Sequence, residues 1–144
     1  MRAVPALATV ALLLPACTAR PDRPAQAPVP LAVEAHLATP TVSTGGTVVV
    51  TLTATNPGPD TIRVTAPSSC VATAQVIDSA GRVVATPTML CSEKPTRFRF
   101  NPGLTSQWDV GLDVTSPPGN YRVVARLVLP EAAALLDTLP LTVR

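Results

Sequence analysis

TVVVTLTAT, residues 47–55, is the stretch that decides the fold. Val48, Val50, Leu52 and Ala54 alternate with Val49, Thr51, Thr53 and Thr55. A period of two puts the first set on one face of a strand and the threonine-rich set on the other. One buried and one wetted face is the pattern of an antiparallel sheet. Turn residues close both ends: Gly45-Gly46 before, and Asn56-Pro57-Gly58-Pro59-Asp60 after.

The same reading extends in both directions. LAVEAHLA (31–38) is a first strand, and TIRVTA (61–66) follows the Asn-Pro-Gly turn. VATAQVI (71–77) and RVVAT (82–86) flank Asp78-Ser79-Ala80-Gly81, where glycine supplies a positive φ, so they form a hairpin. TRFRF (96–100) places Phe98 and Phe100 on one face and Arg97 and Arg99 on the other. In QWDVGLDV (107–114), Trp108, Val110, Leu112 and Val114 point inward. NYRVVARLV (120–128) and LPLTV (139–143) complete the set, with Pro140 placing the last strand at an edge or a bulge. EAAALLD (131–137) is the one helix-like stretch. Strands recurring about every 10–15 residues with turns between them predict an all-β chain, an immunoglobulin-like antiparallel β-sandwich of about seven to nine strands. PPGNYRV (117–123) resembles the tyrosine corner of such folds, with Tyr121 burying its ring and sending its hydroxyl to main chain.

Composition agrees. Of 144 residues 47% are hydrophobic but 3% aromatic, and 17 are proline, which favours short strands and turns over helices. Net charge is +2, with no basic run and no aromatic platform beside one, so nucleic acid is not an expected partner. At the amino terminus Arg2 precedes the apolar run AVPALATVALLL (3–14), which suits a signal peptide and is too short to span a bilayer. The run ends in Leu14-Pro15-Ala16-Cys17, which resembles a bacterial lipobox, Pro15 departing from the usual small residue at −2. The resemblance implies cleavage after residue 16 and lipidation of Cys17; the alternative is a secretory leader whose cleavage site happens to precede a cysteine. Domain boundaries follow: leader 1–16, lipidated Cys17 with a Pro-rich tether over 17–30, and the β-sandwich over 31–144. Extended, the tether would reach roughly 40 Å at about 3.1 Å per residue; the alternative is a flexible tail with no set reach. Localisation is then the bacterial cell envelope, anchored to the membrane through the lipid. Thr18 at +2 is not aspartate, and the lipoprotein resemblance then implies delivery to the outer membrane where there is one.

With Cys17 assigned to lipid, Cys70 and Cys91 remain. In an oxidising compartment a pair bracketing one hairpin is expected to form a disulfide. Two buried thiols or half a metal site are the alternatives; with one histidine and no CxxC, metal has little to recommend it. No cofactor is expected. No serine sits in a GxSxG turn, and the lone His36 lies on a strand as an exposed residue. Asp109 and Asp113 share one strand face about 13 Å apart, too far for an acid/base pair. If 96–100 paired with 107–114, Arg97 and Arg99 would face Asp109. A non-catalytic protein is the expectation.

TNPGPDTIRV (55–64), VIDSAGRVV (76–84), FNPGLTSQWDV (100–110) and PPGNYRV (117–123), in that order, resemble the BsuPI family of bacterial intracellular proteinase inhibitors. The resemblance spans about residues 40–143 and implies an immunoglobulin-like domain with Trp108 and Tyr121 as structural residues. It also implies a protein partner, a protease. The cysteine pair and the export signal depart from the family pattern. An inhibitory loop is then expected in TPTMLCSEK (86–94), with Thr88, Met89, Leu90 and Ser92 around Cys91 as contact residues. The alternative for Met89 and Leu90 is packing against the disulfide. The alternative function is a structural or accessory envelope module docking through an edge strand or a surface patch.

Overall fold

The computed structural model describes residues 30–130 and 135–144. The leader, Cys17, tether residues 18–29 and Glu131–Ala134 of the helix-like stretch lie outside the described residues. All described regular structure is β, and there are ten strands, more than the seven to nine expected. They are β1 (Ala32–Leu37), β2 (Thr41–Val42), β3 (Gly46–Thr55), β4 (Ile62–Ala66), β5 (Ala72–Ile77), β6 (Val83–Ala85), β7 (Thr96–Phe100), β8 (Thr105–Val114), β9 (Gly119–Leu127) and β10 (Leu135–Val143). β2 is the added strand. It is two residues long and pairs in parallel with Thr142 and Val143, a contact no local alternation announces. Leu135–Asp137 open β10 instead of closing a helix, because they pair in register with Ala125–Leu127 of β9. β10 is also not a sheet edge along its whole length; Pro140 falls where β10 pairs with β9 and beyond the reach of β2.

The strands form three sheets, ordered β1-β3-β8, β2-β10-β9-β5-β6 and β4-β7. One ribbon connects them. Thr55 faces Thr105 in β3–β8, Ile62 faces Phe100 in β4–β7, Cys70 joins Cys91, and Val76 faces Ala85 in β5–β6. The pairing centre stays the same to within about a residue along this series. Residues 46–114 are therefore a single long hairpin whose arms are β3-β4-β5 and β6-β7-β8. Its tip is the Asp78–Arg82 turn. There Gly81 has φ +80° and the Asp78 amide donates to the Arg82 carbonyl at 3.0 Å. The Arg82 amide is the main cause holding the Asp78 carboxyl below its ordinary pKa; partial desolvation opposes it, and the Arg82 guanidinium at 2.7 Å and the Ala80 amide reinforce it.

The hairpin breaks twice, and each break moves it to another sheet. The first corner is 56–61 against 101–104. Asn56 and Pro102 form an isolated bridge there, and the Gly103 amide donates to the Asn56 carbonyl at 2.8 Å with Gly103 at φ +68°. The second corner is 67–71 against 86–95, closed by the disulfide. The inner faces that result share one core. Val48, Val50, Leu52, Val110, Leu112 and Val114 from β3–β8 belong to the same buried cluster as Ala74, Val76, Val123, Ala125 and Leu127 from β5 and β9. Burying each larger side chain contributes about 1.5–3 kcal/mol. Phe100 is buried at the first corner, where Trp108 meets it and Phe98, each with ring centroids 6.4 Å apart. Trp108 thus packs β8 against β7, although the two strands do not pair.

Candidate functional site

The second corner carries the candidate loop. β6 ends at Ala85, and Pro87, with no amide donor, cannot extend the ladder to β5. The chain leaves the sheet and is caught again two residues beyond Met89. Cys91 bonds Cys70 with 5.5 Å between their Cα atoms. Next to it the Ser69 amide donates to the Ser92 carbonyl at 3.1 Å, and the Ser92 amide donates to Ser69 Oγ at 2.9 Å. The Lys94 amide donates to Ser92 Oγ at 3.4 Å, and Thr96 Oγ1 donates to the Lys94 carbonyl at 3.1 Å. Of the expected loop residues, Cys91 and Ser92 are therefore fixed to the opposite arm. Thr88 is exposed, Met89 is 38% exposed, and Leu90 is fully exposed at 103%. Leu90 does not pack on the disulfide.

The remaining expected residues fall elsewhere. Tyr121 donates its hydroxyl to the Pro117 carbonyl at 2.8 Å, a bond contributing about 0.5–1.5 kcal/mol. Its ring stays half-buried and lies over Gly119. Asp109 and Asp113 do not meet arginine. β7 pairs with β4, not β8, and the two carboxylates accept from Thr51 Oγ1 and Thr47 Oγ1, each at 2.7 Å. His36 is exposed on β1 opposite Thr51. Among the described residues no three His, Cys, Asp or Glu side chains gather as a metal site.

One structural residue was missed in the sequence reading. Asn56 is 0% exposed, yet every polar atom of its side chain is bonded. Its Nδ2 donates to the carbonyls of Asp60 at 2.7 Å and Phe100 at 2.9 Å, and its Oδ1 accepts from the Gly58 amide at 3.0 Å. The signal was available: Asn-Pro-Gly occurs twice, at 56–58 and 101–103, and the first corner is where the two triplets meet.

No family model and no curated protein matches the chain. Among solved structures it is similar to a β-glucosidase from Listeria innocua in complex with glucose, with TM-score 0.48, 12% identity and 78% of this chain covered. A β-glucosidase of Erythrobacter marinus gives TM-score 0.49, 12% identity and 79% coverage. The chain spans 16% of the length of each. Likeness of that extent identifies neither the fold nor an activity.

Proposed function

We propose that this is a non-catalytic, lipid-anchored protein of the bacterial cell envelope whose domain is an immunoglobulin-like β-sandwich that binds another protein, acting as a proteinase inhibitor through loop 86–94. Leu90 carries the reading. It is fully exposed next to the partly exposed Met89, an apolar pair at the tip of a loop, and its neighbours Cys91 and Ser92 are tied to Cys70 and Ser69. Such a staple lowers the ordering cost of binding. The sandwich reading draws on the core shared by two sheets and on the Tyr121–Pro117 bond, which matches a tyrosine corner.

Edge-strand docking is the second reading. β6 has three residues and a register shift, β2 has two residues, and the Ala35 amide on β1 donates to Asp137 Oδ2 at 3.3 Å, all of which discourage strand addition. β8, ten residues long, is the other edge of its sheet and is the strand this reading would use.

The test is titration of the purified protein against a panel of serine proteases. Inhibition of at least one is expected, and Leu90→Ala should weaken it about 30-fold, as removal of a central apolar anchor costs about 2 kcal/mol. Met89→Ala should weaken it less. A panel with no inhibited member, or inhibition left unchanged by both substitutions, removes the loop from the function. Mass spectrometry of the mature amino terminus tests the anchor: an unmodified Cys17 thiol, or cleavage at another site, contradicts it.

A further inference from the structure

A second surface, on the outer face of β4–β7, has no role in the loop reading. Arg63 stands directly opposite Arg99 in this two-stranded ladder, and Arg97 lies two residues before Arg99, opposite Thr65. All three arginines are exposed, and they rim a shallow hollow with Val64, Thr65 and Phe98. Like charges directly opposite on a ladder destabilise it. Among the described residues the ion pair is Arg82–Asp78, and none of these three arginines forms one. Arg99 spends its Nε on Asn101 Oδ1 at 2.9 Å, which leaves the outer fork of its guanidinium. In β3, β4, β7 and β8 the odd-numbered residues lie on the outer side, so Asp109 and Asp113 belong to the same ribbon as the arginines. They are held by Thr51 and Thr47 on β3 instead of neutralising the arginines.

We propose that this face binds carboxylates of an acidic, extended polypeptide segment with Asp or Glu at alternate positions. Guanidinium forks match carboxylates bidentately. Arg97 and Arg99 are one strand repeat apart, about 6.7 Å, which is the spacing of side chains i and i+2 on a second extended chain. Three arginines fall short of the clusters of about four to eight that hold a protein to anionic membranes. Phe98 is the one aromatic residue among those lining the hollow, and it, Phe100 and Trp108 pack against the core, so no row of stacking platforms for nucleic acid lies beside the arginines. The proposal uses none of loop 86–94 and stands if protease inhibition fails.

The experiment is an NMR titration of the purified protein with an alternating Glu-Thr peptide, its isomer with the glutamates contiguous, and vesicles of anionic phospholipid. The alternating peptide should shift the β4 and β7 amides and bind about tenfold tighter than its isomer; the Arg97→Gln/Arg99→Gln variant should lose about tenfold. Arg63→Gln should also weaken binding while raising Tm at low salt, since it relieves the cross-strand repulsion. Circular dichroism verifies that each variant is folded. No binding of the alternating peptide, equal affinity for the two isomers, undiminished binding by the double variant, or arginine-dependent binding of vesicles alone overturns the proposal.

Discussion

Asn56→Ala is expected to lower the free energy of unfolding by about 2 kcal/mol, chiefly for the bond lost to the buried Phe100 carbonyl. The side chain is 0% exposed and bonds Asp60, Phe100 and Gly58, so it joins both arms of the hairpin where they turn from one sheet to the next. Alanine removes a partner of the buried Phe100 carbonyl, while exposed Asp60 and half-buried Gly58 can turn to water. Urea unfolding measures the effect, and a loss below about 1 kcal/mol contradicts the assignment. Asn56→Asp separates hydrogen bonding from shape. Aspartate keeps the acceptor for Gly58 but, ionised, points a charge at two carbonyls. Its carboxyl should therefore titrate above the unfolded value, so the variant is more stable below that value and loses stability as pH rises through its folded pKa. A variant that gains stability with pH across that window would show that the carbonyl contacts are not what holds the corner.

Opening the Cys70–Cys91 bond is expected to cost about 3 kcal/mol, because the crosslink closes a loop whose ends are 21 residues apart. For a small domain with about 5–15 kcal/mol of net stability this is a large share. The bond is one rung of the long hairpin, at the corner where Pro87 interrupts the main-chain ladder. Two hydrogen bonds between Ser69 and Ser92 remain after reduction, so the arms should separate locally before the core does. The Cys70→Ser/Cys91→Ser variant, unfolded in urea beside the parent with and without reductant, checks the magnitude. Hydrogen exchange checks the place: amides of 86–95 should lose protection while those of β3, β8 and β9 keep it. Equal unfolding midpoints for parent and variant would remove the disulfide as a stabilising element.

Much of the strand content was legible because alternation is a local signal. Val48, Val50, Leu52 and Ala54 are buried and Thr47 and Val49 exposed, as the period of two requires. Thr51 is the instructive exception: it lies on the outer face but is buried, since Asp109 covers its hydroxyl. The pair Cys70–Cys91 and the Tyr121 hydroxyl bond were legible for a related reason, each joining residues close to one turn. Leu90 was named as a contact residue, but whether it packed or projected depended on where Pro87 and Cys91 left the chain.

By itself the sequence determined nine of the ten strands in outline, which face of each is apolar and where the chain turns between them. Only the tertiary structure decided which strands are neighbours. It joined β7 to β4 and so gathered Arg63, Arg97 and Arg99, drew β2 onto β10, turned Leu135–Asp137 into strand, and buried Asn56 between two distant Asn-Pro-Gly turns. The physical reason is that side-chain alternation states only that a face must be covered. Many partners and registers can cover it, and the choice among them lies in contacts between residues far apart in the chain.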